Sequence, residues 1–294
     1  MTQRPGTPGS LPVGPSRPAR AELRTAHGAT PPILVALQSA ILIVHLLAGM
    51  ASAGTPSGGA TVRVAVAANF TAAAREIAAA FEDATGDGAL LSFGSTGQLY
   101  AQILQGAPFE VFLAADEMRP GLAEREGLAV PGSRRTYAVG RLVLFSAEAG
   151  RVTGPDALRD PGLRRIALAN PALAPYGRAA LEVARALGVE DILRDRQVIG
   201  QNVSQAHQFV RTGNAEVGFL ALAQVVRSAD GSRWLVPERL HGPIRQQAVL
   251  LEAGRQNPAA ARFLDFLGSR AARKILRRHG YRAEPPAPHG PGGP

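Results

Sequence analysis

The chain has 294 residues, 46% of them hydrophobic and 19% charged, which suits one large or two ordinary packed domains and excludes wholesale disorder. Cysteine is absent, so disulfides, thiol nucleophiles, Cys-ligated zinc, iron–sulfur clusters and a lipoprotein anchor are excluded together. The net charge of +9 is almost all arginine, with Lys274 as the only lysine. That usage fits a GC-rich genome rather than a nucleic-acid footprint, and no nucleic-acid partner is expected.

Residues 1–32 are rich in Pro, Gly, Ser and Arg and carry no hydrophobic period. An apolar stretch over 33–49 then runs into Ala51-Ser52-Ala53, a small-x-small site of the kind signal peptidase cuts. Residues 1–53 therefore read as a basic leader with a secretory signal peptide, cleaved near Ala53, and the location as periplasmic or otherwise secreted. The competing reading is an uncleaved anchor, since the stretch approaches the ~20 residues that span a bilayer. Residues 54–61 read as a flexible leader and 283–294 as a Pro/Gly-rich tail.

The body alternates strands and helices. A buried strand is predicted over 62–68, a helix over 72–84 closed by Gly86, a strand over 90–93, a tight turn over 94–97 and a helix over 98–105. A strand over 111–115 and a short helix over 119–126 follow. The pattern restarts with strands over 141–146 and 165–169, a loop over 170–177, a helix over 178–187, and strands near 197–200 and 216–221 around a helix reaching 211. A strand over 243–251 returns to the first half, and one long helix covers 258–278. The expected fold is α/β and two-lobed, each lobe a mostly parallel sheet flanked by helices with a cleft between them. Lobe I comprises 62–140 plus 244–282, and lobe II comprises 141–243.

Four strand–helix junctions stand out: residues 68–71, 94–97, 175–177 and 202–204. Each places small or hydroxyl residues just before a helix, where unpaired N–H groups and a partial positive charge of about half an elementary charge are exposed. Ordinary helix capping accounts for each one singly. Several meeting at the carboxyl edges of two sheets would form an anion pocket.

The spelling of these junctions resembles the periplasmic molybdate-binding proteins of ABC importers, within the type II binding-protein fold. The resemblance rests on VAVAANFTAAAREIAAAFE, LLSFGSTGQLYAQILQGAPFEVFLAAD, YAVGRLVLFS, LANPALAPYG, GQNVSQA and AEVGFLALAQV, in family order from about Val62 to Tyr281. It implies a solute-binding protein, not an enzyme, that takes molybdate or tungstate and delivers it to a membrane permease with its ATPase, acting as a monomer. The metal arrives only inside the oxyanion, and no cofactor is implied. The carried-over contacts are Asn69 through side chain and backbone, the hydroxyls of Ser95 and Thr96, Tyr176 through its N–H and phenol, and Val203 through its N–H. A tyrosine hydroxyl that some members supply is missing here, because Ala221 stands at its place.

Rival chemistries have less support. The histidines at 27, 45, 207, 241, 279 and 289 show no metal-ligand spacing, and no nucleophile elbow, Walker A or dinucleotide fingerprint occurs. His207 reads as a packing residue, Asp116-Glu117 as a strand end beside the interlobe connection rather than an acid/base pair, and the basic run from Arg270 to Arg282 as a solvated face. The alternatives are a receptor for another oxyanion such as sulfate, and a hydrolase acting through Ser95 or Thr96 on the same fold.

Overall fold

Valines alternate with exposed residues at the start of the first strand, which is buried on both faces only from Val64 onward. In the computed structural model, which describes residues 59–282, Val62, Val64 and Val66 of β1 (Thr61–Ala67) face one helix layer. Ala65 faces the other. A 3-10 turn over Ala68–Phe70 leads into α1 (Thr71–Thr85), which closes on Gly86 at φ 75°, a left-handed conformation natural to glycine. The chain continues through β2 (Gly88–Gly94), α2 (Thr96–Leu104), β3 (Val111–Leu113), α3 (Met118–Arg125) and β4 (Arg135–Gly140). With β10 (Ile244–Leu250) these strands form a sheet of order β2-β1-β3-β10-β4.

A second sheet has the order β7-β6-β8-β5-β9. It comprises β5 (Leu142–Ser146), β6 (Ile166–Ala169), β7 (Gln197–Gly200), β8 (Val217–Ala221) and β9 (Ser232–Leu235). Its helices are α4 (Pro175–Ala186), α5 (Glu190–Arg196), α6 (Val203–Arg211) and α7 (Leu222–Val225); α8 (Pro258–Phe266) and α9 (Arg270–Arg278) return to the first sheet's core. Each sheet contains one reversed strand. β10 runs antiparallel to β3 and β4, and β5 runs antiparallel to β8 and β9. The result is the two-lobed α/β architecture.

The differences from the sequence reading have local causes. The expected long helix over 258–278 is two helices, because Gly268 interrupts it and the Ser269 hydroxyl caps the second by accepting the Ala272 N–H at 3.1 Å. A separate strand, β4, precedes β5, so the first crossing between sheets is the single residue Arg141, and the return lies between β9 and β10. Helix α4 begins at Pro175, whose fixed φ suits a first helical position, and Tyr176 and Gly177 therefore lie in its first turn rather than in a loop. The signal, most of the leader and the tail lie outside the described residues. Among the described residues no helix is long and apolar enough to cross a membrane.

Candidate functional site

The end of β1, the segment just after β3 and three helix starts converge on one small recess with about 210 Å³ of empty space. Asn69, Ser95, Thr96, Tyr176 and Val203 all line it, together with Ala115 and Asn202 among others, and no lining residue is ionisable at neutral pH. All five residues named from the sequence thus stand around a single space.

Capping decides which helix-start donors remain. At α2 the Ser95 hydroxyl accepts the Gln98 N–H at 3.3 Å, and the Gln98 side chain accepts the Ser95 N–H at 3.3 Å, a reciprocal capping box. The Gly97 N–H crosses to the Leu173 carbonyl at 2.8 Å. At α6 the Asn202 carboxamide accepts the N–H groups of Ser204 and Gln205 at 3.0 and 3.1 Å. These caps leave the N–H groups of Thr96, Tyr176 and Val203, in the first turns of their helices, without an intrahelical acceptor. Three partial positive ends therefore meet at one cavity.

The side chains divide differently from the sequence expectation. Asn69 is buried, and its amide donates to Gln246 Oε1 at 3.0 Å and to the Tyr281 hydroxyl at 3.1 Å. A buried amide must pair both protons, so its side chain supports the wall from behind and its backbone remains for the cavity. The Ser95 hydroxyl donates to Gln98 Oε1 at 2.9 Å. Thr96 Oγ1 accepts the Ala115 N–H at 3.0 Å, which ties α2 to the end of β3 and leaves the hydroxyl proton for a ligand. The Tyr176 phenol accepts from Gln246 Nε2 at 3.3 Å, and burial raises its pKa above the ordinary value, so it is a neutral donor. Ala221, at the end of β8, offers no hydroxyl.

Sequence reasoning missed the layer behind the wall. Gln246, Tyr137 and Tyr281 are buried beside Asn69 and Tyr176; Tyr137 donates to Gln246 Oε1 at 3.0 Å, and Tyr281 donates to the Asn69 carbonyl at 2.8 Å. The signal available was scarcity: the chain has four tyrosines, and three of them meet here. Gly140 was also overlooked. A Cβ there would lie 2.2 Å from the Tyr176 hydroxyl and 2.7 Å from Gln246 Nε2, so no side chain fits.

Asp116 and Glu117 belong to a separate, larger cleft with about 930 Å³ of empty space, with Arg178, Glu182 and Arg245 on its walls. Asp116 pairs with Arg119 and stands 3.8 Å from Arg178 across the seam, while Arg119 Nη2 donates to the Ala172 carbonyl at 3.1 Å. Glu117 lies 3.7 Å from Arg245 and accepts from Gln247 at 3.4 Å. His207 packs edge-on against Phe145 at 6.2 Å. No group of His, Asp or Glu among the described residues is arranged to hold a metal ion.

Comparison with known proteins agrees with this geometry. Residues 62–282 match the family described as bacterial extracellular solute-binding protein. The molybdate-binding protein ModA of Rhodobacter capsulatus is 49% identical over 248 residues, covering 84% of this chain and 97% of that protein. ModA of Azotobacter vinelandii is 48% identical over 82% of this chain and 96% of its own length. The solved periplasmic molybdate-binding protein of Azotobacter vinelandii superposes with a TM-score of 0.74 at 39% identity, covering 76% of this chain and all of that one. A cavity of uncharged donors at helix starts, on this fold and with relatives this similar over nearly their full length, places the chain in the bacterial extracellular solute-binding protein family, among the ModA proteins.

Proposed function

We propose that the protein captures molybdate, and tungstate of nearly the same shape, in the cavity at the three helix starts and presents it to an ABC importer. It is a binding component, not an enzyme. The observation that carries the ligand reading is the donor set: neutral N–H and O–H groups, with no carboxylate among the lining residues. A tetrahedral dianion without a proton has only acceptor oxygens and matches such a site. A carboxylate would instead favour an oxyanion that carries a proton, as phosphate does. Aligned dipoles in a low-dielectric space balance the charge without a cationic partner.

The direct contacts in this reading are the N–H groups of Asn69, Thr96, Tyr176 and Val203, the Thr96 hydroxyl and the Tyr176 phenol, with Ser95 holding the start of α2. The protein works outside the cytoplasm as a monomer, after removal of the leader near Ala53, and hands the anion to a permease coupled to its ATPase. The two lobes close on the ligand, as hinge motions of two-lobed proteins do. Calorimetric titration tests it. Tight 1:1 binding of molybdate and tungstate is expected, with little heat from sulfate or phosphate, and failure with both metal oxyanions overturns the reading.

A further inference from the structure

We infer that Gln246 is a positioning residue that fixes which way the Tyr176 hydroxyl points its proton, and thereby makes the site selective for oxyanions that carry none. The inference rests on the ligand reading above. Its basis is a chain of hydrogen bonds whose direction is set at one end. The Asn69 carbonyl can only accept, so the single Tyr281 proton goes to it, at 2.8 Å. The Tyr281 oxygen must then accept from Asn69 Nδ2, at 3.1 Å, which settles the orientation of that amide. The second Asn69 proton reaches Gln246 Oε1 at 3.0 Å, and the Tyr137 hydroxyl, with one proton, lies 3.0 Å from the same oxygen and 3.2 Å from the Ala114 carbonyl. With its carbonyl held by the Asn69 amide, Gln246 can offer Tyr176 only its NH2 group, at 3.3 Å. The Tyr176 oxygen is therefore an acceptor on the protein side, and its proton is left for the cavity that Tyr176 lines.

The backbone is shaped for this relay. The register of β10 against β4 shifts between Gln246 and Gln247, pairing Gln246 with Ala138 and Gln247 with Thr136, so that Tyr137 is the extra residue. Such a bulge turns neighbouring side chains to one side, and here Tyr137 and the fully buried Gln246 meet. Gly140 leaves the space in which the Tyr176 hydroxyl and Gln246 Nε2 lie, since a Cβ would come within 2.2 and 2.7 Å of them.

The test compares wild type, Gln246→Leu, Gln246→Glu, Tyr176→Phe and the double variant Gln246→Leu/Tyr176→Phe by calorimetric titration with molybdate and with hydrogen phosphate, with thermal melting as a check of folding. Tyr176→Phe is expected to lose roughly 10- to 150-fold in molybdate affinity. Gln246→Leu should lose at least about fivefold, and the double variant should bind within about twofold of Tyr176→Phe alone, because the two residues act through one hydroxyl. Gln246→Glu can accept the Tyr176 proton, so molybdate should weaken while the preference over hydrogen phosphate narrows. Should Gln246→Leu fail to fold, Tyr137→Phe removes the hydroxyl beside the Gln246 carbonyl, and its smaller loss should likewise vanish on the Tyr176→Phe background. Additive losses, or wild-type affinity in Gln246→Leu, overturn the inference while leaving the ligand reading intact. A wild-type protein that ignores molybdate overturns the ligand reading itself.

Discussion

Two recesses lie near the seam between the sheets, and they differ in both size and chemistry. The outer one, with about 930 Å³ of empty space, carries Asp116, Glu117, Arg178, Glu182 and Arg245 on its walls. The inner one holds about 210 Å³ of empty space and presents amides, hydroxyls and small apolar side chains. By size or charge alone the outer cleft would be chosen. Its charges, however, face one another: Asp116 holds Arg119 and approaches Arg178, and Glu117 approaches Arg245. A dianion placed there would meet three carboxylates. The inner cavity holds no competing acid among its lining residues, and its unpaired N–H groups belong to helices whose N-terminal ends meet there. For an anion that carries no proton, uncompensated donors matter more than formal charge.

The largest effect expected is on the helix α6 donor. Val203→Pro should lose about 10- to 150-fold in affinity for molybdate, because it deletes one N–H to a charged acceptor. The fold should tolerate it. Proline is favoured at a first helical position, and Asn202 already has the extended backbone, φ −149° and ψ 173°, that a residue before proline prefers. Val203→Ala keeps the N–H and should stay within about threefold. Wild-type affinity for the proline variant would move the anion away from α6. Thr96→Ala comes next, with a loss of about tenfold or more, together with a lower melting temperature because the Ala115 N–H loses its acceptor. Thr96→Ser should restore most of both.

Asn69→Ala separates the wall from its support. The sequence alone suggested a direct side-chain donor, whereas the structure pairs both amide protons with Gln246 and Tyr281. The main expected consequence is therefore a destabilisation of about 1–3 kcal/mol, since two buried partners are left incomplete. Chemical denaturation measures it directly, and affinity should fall less than in Thr96→Ala. A normal melting profile with a large affinity loss would return the side chain to the ligand.

What could be read in advance follows from the range of each signal. The alternation of valines in β1, the glycine closing α1 and the helix starts are local, and they led to the fold and to the junctions, while the family resemblance picked out at those junctions five residues that line the cavity. The split at Gly268 and Ser269 was local too, but a strongly helical run on both sides hid it. Gln246 lies 177 residues from Asn69 along the chain, and no periodicity announces a contact of that range. Gly140 is small because of Tyr176, which lies on a strand-to-helix junction of the other lobe. Relations of that kind exist only once both sheets have formed.

The outer cleft supplies the smaller tests. Arg178 is about half exposed and stands 3.8 Å from Asp116, so Arg178→Ala should change molybdate affinity by no more than about twofold at moderate salt. Breaking the buried Asp116–Arg119 pair is different in kind: Asp116→Ala strands a buried guanidinium and should cost about 3–5 kcal/mol of stability without redirecting the ligand. An affinity loss in Arg178→Ala as large as that of Thr96→Ala would assign the anion to the wrong recess.

The smallest effect expected is that of pH on binding. Every donor assigned to the inner cavity is a backbone N–H, an alcohol or a phenol, and burial raises the pKa of Tyr176 above the ordinary phenol value. Molybdate affinity should therefore be constant within about twofold between about pH 7 and pH 9, below the phenol value of about 10. Stability behaves otherwise. Burial also raises Tyr137 and Tyr281, so above about pH 10 the unfolded chain releases phenol protons that the folded state still holds. The contribution is complete below that pH and declines as pH climbs toward the raised folded values, at up to about 1.4 kcal/mol per pH unit for each tyrosine. A melting temperature that starts to fall near pH 10, with affinity flat up to that point, is the joint signature of a neutral donor site backed by buried phenols. A decline in affinity already between pH 7 and 9 would instead require a titrating group at the anion, and the charged cleft would again be the place to look.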